Sequence, residues 1–388
     1  MSEQGIIYVD NNATTRIAPE VFEAMVPFLT TEYGNPSSPH PFASKPATGI
    51  DEARNSIAAL LGANADEIIF TSCGSESDNT AIRSALETQR GRHKVVTTAV
   101  EHAAILSLCR VLEKHGVRVE YLPVDKYGRI NLEQARQVID DDTAIVSCMW
   151  ANNEIGNIYP VLELAEIAHE HGALFHTDAV QAVGKVPINL EDKPIDFLSL
   201  SGHKLHAPKG VGVLFVRRFT PYSTFLTGGH QERGRRAGTE NVASIVGLGA
   251  AARLASENLE KEQTYVKGLR DRMEQGLLNT CPDPQVNGDV EHRLPNTSSI
   301  CFRYIEGESI LLRMYQAAKI CASSGSACTS GSLEPSHVLR AMGVDYRSLH
   351  GSIRFSFSRY NTESEVDEIL RVVPGIIREL RALSPYGR

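Results

Sequence analysis

At 388 residues the chain exceeds one ordinary domain, so two units, or one large and one small, are expected. A formal net charge of −8 argues against nucleic acid or an anionic membrane as the main partner, and 42% hydrophobic with 22% charged residues is the balance of a soluble globular chain. Seven cysteines, odd in number and never spaced as CxxC, argue against a disulfide framework or a structural zinc site, and no metal is expected. The opening MSEQGIIYVD has neither a basic stretch nor a long apolar core, so no signal peptide is expected. No apolar run approaches the roughly 20 residues that span a bilayer, and the expected location is cytoplasmic.

In chain order, Ile6 to Val9 reads as a short strand, followed by the polar turn Asp10-Asn11-Asn12. Pro19 suits the first turn of a helix reaching about Leu29. Turn-forming YGNPSSPH precedes an amphipathic helix to about Leu61. Strands and helices then alternate. The strands are Ile68 to Thr71, Lys94 to Thr98, Val117 to Leu122, Ala144 to Met149 and Ala173 to His176. The helices are Ser75 to Leu86, Ala103 to Lys114, Asn131 to Ile139 and Val161 to His171. This alternation implies crossover units and a mostly parallel sheet. Two more strands, around Ile195 to Leu200 and Val211 to Val216, flank SGHKLHAPKG. A long helical stretch from about Val242 to Leu278 reads as a connector into a second, smaller α+β unit beginning near residue 265. That unit has strands near Thr297 to Phe302 and Ile353 to Phe357, with helices near Glu308 to Ala317, Pro335 to Met342 and Glu363 to Arg381.

Ligands of open parallel sheets bind beyond the carboxyl ends of the strands, and the chemically interesting residues fall there repeatedly. Lys204 stands at a strand end between His203 and His206, a setting that suits Schiff-base chemistry once burial and nearby positive charge favour the neutral amine. TSCGSESDN passes from a strand end through Gly74 and Ser75 into a helix, whose free amides make a phosphate site. It is equally a capped helix when taken alone. His102 follows a strand and can stack on a ring or shuttle protons. Asn152 and Asn153 follow the next strand, as ligands or as turn formers. Asp178 ends another strand with Gln181 three residues on. A buried carboxylate there needs a cation, and a protonated pyridine nitrogen supplies one. GGHQERGRRAGTEN carries Arg233, Arg235, Arg236 and Thr239 on a loop that closes over a phosphate, meets another subunit or is merely a solvated basic loop. In SSGSACTSG, Cys328 lies among small residues, unlike a structural cysteine in an apolar element. As a nucleophile it needs its thiolate form. Arg354, inside a strand, suits a bidentate pair with a carboxylate or a structural salt bridge.

Taken together, DNNATT, YGNPSS, SESDN, VEHAAI, NNEIG, HTDAVQA, SGHK, GGHQERGRRAGT and, most specifically, SSGSACTSGSLEPSHVLRAMG resemble the cysteine desulfurases of the NifS/IscS-like group I over essentially the whole chain. The resemblance leans to the nitrogen-fixation NifS type. It implies a homodimeric α/β enzyme of the fold-type-I pyridoxal 5'-phosphate class that turns L-cysteine into L-alanine and leaves a persulfide on Cys328. The sulfur would pass to an iron–sulfur scaffold or another acceptor protein, with nitrogenase cluster maturation as one such pathway. By motif match, Lys204 anchors the cofactor, and His102 stacks on its ring and moves protons. Asp178 pairs with the pyridinium nitrogen and Gln181 with the phenolic oxygen. Gly74, Ser75, Ser201 and His203 hold the phosphate, joined by Thr239 of the partner subunit. Arg354, with Asn153 and Asn35, takes the substrate carboxylate. Relatives also place the first dozen residues beside the C-terminal part. The expected division is therefore a large cofactor-binding domain over 16–264 and a small domain over 1–15 plus 265–388, carrying a mobile cysteine loop at 323–331. Ser75 stands where relatives commonly carry threonine, and Cys73 beside it has no role in the motif. The alternatives are a selenocysteine lyase or other β-eliminating lyase of the same fold, and a non-catalytic sulfur-assembly subunit.

Overall fold

The computed structural model describes residues 5–324 and 335–385. A short first strand, β1 (Ile7–Tyr8), is followed by seven strands that share one sheet. These are β2 (Ile68–Thr71), β3 (Lys94–Thr98), β4 (Arg118–Leu122), β5 (Thr143–Ser147), β6 (Leu174–Asp178), β7 (Phe197–Ser201) and β8 (Gly212–Val216), in the order β2-β8-β7-β6-β5-β3-β4. β8 is antiparallel to both neighbours, and the remaining pairings are parallel. Helices Gly74–Thr88, Ala103–Lys114, Leu132–Val138 and Val161–Glu170 make the crossovers.

Strand side chains alternate between two apolar layers, as the period of two requires. Ile69, Val95, Ile145, Leu174, Phe197 and Leu214 pack on one face. Phe70, Val96, Val146, Phe175, Leu198 and Val213 pack on the other. Burial on both faces explains why these strands read as continuous apolar runs in the sequence.

A single helix over Val242 to Leu278 does not form. Val242–Glu257 ends at Asn258, a helical turn Leu259–Lys261 follows, and a π turn over Glu262–Val266 leads into the Lys267–Thr280 helix. The widened turn buries Glu262 and Val266 together. Beyond it, β9 (Pro284–Val286), β10 (Thr297–Phe302), β12 (Ser323–Ser324) and β13 (Ser352–Ser356) form an antiparallel sheet in the order β12-β13-β10-β9. β11 (Ile320–Cys321) instead pairs in parallel with β1, Ile7 opposite Ile320. Ile7 and Val9 thereby join Val266, Leu269, Phe302, Phe355 and Ile369 in a separate apolar cluster. The Glu363–Leu383 helix closes over it, started by a capping box between Thr362 and Glu365. The helix expected from Pro335 is shorter, His337–Ala341, with Ser336 as its cap, because the Ser336 hydroxyl accepts from Leu339 N.

The N-terminal strap, residues 10–15, positions the site between these cores. Asn11 N donates to Ser356 O at 3.1 Å, and Thr15 N donates to His203 O at 2.9 Å. Both apolar cores are thus stitched to the carboxyl edge of the central sheet.

Candidate active site

The carboxyl ends of β2, β6 and β7 open on one edge. After β2 the chain turns at Cys73 into the Gly74–Thr88 helix without a side-chain cap, so Ser75 is not the capping residue. Its first amides have no partner within the helix, and the Ser75 hydroxyl makes no hydrogen bond among the described residues. A Cβ on Gly74 would approach Val180 Cγ2 to 2.8 Å and Ser201 Cβ to 3.6 Å, so only glycine lets this turn lie against the Asp178 and Ser201 strand ends. Arg236 ties the 228–241 loop to the same turn, donating to Glu76 at 2.9 Å, while Glu76 also accepts from Ser72 N at 2.8 Å.

Asp178, the last residue of β6, is 5% exposed and accepts from Val180 N at 2.9 Å. Burial raises its pKa above the usual carboxylate range, and the nearby His102 and Lys204 oppose that shift. Behind it lies a polar layer that the sequence did not single out. His176 is fully buried between Ser147 Oγ at 2.8 Å and Ser199 Oγ at 2.9 Å. Burial holds it neutral, with its pKa pulled down to about 3. Asp78 is 1% exposed with one carboxylate oxygen unpartnered among the described residues. Burial, and then the neighbouring Asp178, push the Asp78 pKa well up, so two desolvated carboxyls oppose each other's ionisation here.

His102 caps the Ala103–Lys114 helix, its Nδ1 accepting from Ala104 N at 3.2 Å. That bond assigns the neutral tautomer with the proton on Nε2. Burial lowers its pKa, against Asp178 and with Lys204. Lys204 ends a 3₁₀ turn after β7 and donates to the main-chain oxygens of Asn12 at 2.5 Å and Ala13 at 2.6 Å. Gln181 Nε2 donates to the same Asn12 oxygen at 2.9 Å. His203 Nδ1 is hydrogen-bonded with Thr14 Oγ1 at 3.1 Å, and burial followed by the Lys204 charge lowers the His203 pKa to about 4.

Arg354 enters from β13, 3% exposed, and donates to Asn153 O at 2.8 Å and Asp10 Oδ1 at 2.7 Å. Asn12 Nδ2 reaches the same Asn153 oxygen at 3.2 Å and Thr297 Oγ1 at 2.8 Å. Asn12 is the chief residue missed from sequence. DNNATT marked its position, but its part is played by a main-chain oxygen, which no side-chain pattern announces. Thr239 and Asn35 make no hydrogen bond to this group. Thr239 is exposed, and the exposed Asn35 turns its carbonyl on Ser37 N. Cys328 lies outside the described residues. The ends of its segment are described: Ser323 pairs with Arg354 across β12 and β13, and Ser336 Oγ lies 2.5 Å from Glu154 Oε2.

Pyridoxal phosphate fits these residues. Bare amides and a free hydroxyl at Gly74 and Ser75 suit its phosphate, and a buried Asp178 carboxylate suits its ring cation. Among the described residues no cluster of ligating side chains suits a metal ion.

The sequence pattern of the family "Aminotransferase class-V" matches residues 7–369. The chain is 59% identical to a cysteine desulfurase of Gluconacetobacter diazotrophicus, over 98% of this chain and 95% of that protein. It is 57% identical to the cysteine desulfurase NifS of Azotobacter vinelandii, over 98% of this chain and 94% of that protein. A solved structure titled "NIFS-LIKE PROTEIN" superposes with a TM-score of 0.91 at 39% identity, covering 97% of this chain and all of that one. The chain therefore belongs to the aminotransferase class-V family and, within it, to the pyridoxal phosphate-dependent, NifS-like cysteine desulfurases.

Proposed function

We propose that the chain converts L-cysteine to L-alanine as a cytoplasmic homodimer and leaves the sulfur as a persulfide on Cys328, for transfer to an iron–sulfur scaffold or another acceptor protein. The observation that carries this reading is where the Cys328 segment begins and ends. Ser323 pairs with Arg354 and Ser336 contacts Glu154, so the described residues on either side of the Cys328 segment are anchored at the substrate side of the site. An aminotransferase of the same fold has no use for such a cysteine.

Gly74, Ser75, Ser201 and His203 would hold the cofactor phosphate, Asp178 its ring nitrogen, Gln181 its ring oxygen and Lys204 its aldehyde carbon. When bound, the cofactor supplies an electron sink for the substrate's α-carbon. Arg354 orients the substrate carboxylate, with Asn153 beside it. Asn35 belongs to this reading as a further carboxylate ligand. Lys204, released from its Asn12 and Ala13 acceptors, moves the α-proton, and neutral His102 holds a transferable proton on Nε2. The Cys328 thiolate attacks the substrate sulfur. An S–S bond forms, the C–S bond breaks, and the electron pair left on carbon takes a proton to give the methyl group of alanine. Cysteine plus the Cys328 thiol thus equals alanine plus the persulfide, with no outside oxidant.

Phe22, Leu29 and Tyr33, exposed by 56%, 60% and 72%, support a dimer in which Thr239 reaches the partner's phosphate site. The division into 16–264 and 1–15 plus 265–388 is part of the same proposal, supported by the apolar cluster that joins Ile7 and Val9 to Val266 and Phe355.

Cys328→Ala tests the reading. It is expected to keep the bound cofactor and bind cysteine, yet form neither alanine nor a protein persulfide. Unchanged alanine formation with a persulfide elsewhere would remove Cys328 from the reaction.

A further inference from the structure

Lys185 does not appear among the residues that the chemistry calls for, yet it is 6% exposed and sits one turn beyond Gln181. Its Nζ donates to Gln181 O at 3.0 Å and to Gln181 Oε1 at 3.1 Å. The far end of that amide, Nε2, donates to Asn12 O, the oxygen that also accepts from Lys204. On its other side Lys185 meets the π turn between the two cores. Its main-chain oxygen accepts from Gln263 Nε2, and the buried Glu262 supplies the opposite charge. The remaining charged or titratable groups acting with it are Arg354, whose charge opposes its own, and His203 and His206, both held neutral by burial.

We propose that Lys185 is a positioning residue that fixes the Gln181 side chain as an obligate hydrogen-bond donor to the site. The two ends of a glutamine amide have nearly the same shape but opposite hydrogen-bonding character, so shape alone does not choose between them. An ammonium group has three donors and no acceptor. It therefore claims Oε1 and turns the NH₂ end towards the pocket. Burial lowers the Lys185 pKa only to about 8, so the group is still a cation at neutral pH. Glu262 keeps that cation from being a buried charge without a counter-charge.

The inference rests on the reading that Gln181 faces the cofactor's ring oxygen. A donor there stabilises the anionic oxygen and lowers the pH midpoint of the bound cofactor's visible absorbance. Losing the donor raises that midpoint. An amide free to flip loses part of the effect.

The test is that midpoint in the cofactor-loaded protein. Lys185→Met alone would strand a buried Glu262 and compromise folding, so the variant to use is Lys185→Met with Glu262→Gln. It removes charge and counter-charge together, leaving the local net charge unchanged. Gln181→Ala is expected to raise the midpoint by about one pH unit, corresponding to the loss of one hydrogen bond to a charged oxygen. The Lys185→Met/Glu262→Gln protein should move it in the same direction by a smaller amount. Combining all three changes should give no more than Gln181→Ala alone, as expected for two residues acting through one bond. A midpoint unmoved in the Lys185→Met/Glu262→Gln protein while Gln181→Ala shifts it, or shifts that add, would overturn the positioning role. A midpoint unmoved by Gln181→Ala would overturn the ring-oxygen reading itself, and the positioning role with it.

Discussion

Asp178 and Lys204 stand at the ends of neighbouring parallel strands, whereas Arg354 reaches the site from a second sheet with its own apolar core. The first pair is placed by the backbone of the central sheet, and burial raises the pKa of Asp178. Asp178 is backed by the neutral His176 and by Asp78, whose pKa burial raises. Arg354 is placed by partners across the junction, the Asp10 carboxylate and the Asn153 carbonyl. On the proposed reading the strand-end side carries the chemistry. The junction side is built for fit, since its geometry depends on how two cores meet through the N-terminal strap.

Lys204→Ala tests this division most severely. Alanine formation should fall by about 10²–10⁴-fold, the usual contribution of a positioned proton-transfer group, with folding retained. The absorbance of the loaded protein should lose its lysine-dependent component. Arg354→Gln should act on the other side. It leaves Asp10 without its cation and should raise KM for cysteine by about 10-fold or more while kcat changes much less. A kcat loss in Arg354→Gln as deep as in Lys204→Ala would break the distinction between chemistry and fit.

Asn12→Ala probes the stitch between the two. It removes the Asn12 amide from Thr297 Oγ1 and Asn153 O, and leaves Asn296 Nδ2 without its Asn12 Oδ1 acceptor. A loss of about 1–3 kcal/mol in unfolding free energy is expected, read by chemical denaturation. The smallest effect concerns pH. Glu154, buried beside Arg354 and bonded to Ser336, has its pKa pushed up by burial to about 7 from an ordinary 4.5. Between those values the folded state holds a proton that the unfolded chain has lost. The Glu154 contribution to stability is therefore full below about pH 4.5 and is lost as pH rises through 7. Glu154→Gln should flatten the fall in stability over that window relative to the unmodified protein. An unchanged slope would mean that Glu154 is not desolvated.

On both sides the candidate residues, Asp178, Lys204 and Arg354, were marked in the sequence, and the partners that hold them were not. Asp178 and Lys204 each follow an apolar run buried on both faces, so a strand end could be marked and the polar residue there noticed. The wiring behind them was silent. His176 reads as part of a strand and Asp78 as part of a helix start, and only the packing of the Gly74–Thr88 helix on the sheet brings them together. Lys185 was not singled out in the sequence, and it is the connector that buries it. The connector itself read as one long helix because its composition is helical throughout, and a π turn leaves no signature in composition. Cys328 was legible for a different reason, as small residues around a thiol are a local pattern.

The Asn12 carbonyl that accepts from both Lys204 and Gln181 has a consequence for how the protein is made. Asn12 precedes the whole central sheet in the chain, but its position depends on Asn296, Thr297 and Ser356, all of which follow that sheet. A chain made only as far as β8 already contains the whole central sheet and Lys204, with the strap still untied at Thr297 and Ser356. The central sheet can fold as the chain emerges, in the usual N-terminal-first order. The site it carries is complete only once β10 and β13 have joined the strap, so cofactor capture is expected to follow the folding of the second sheet.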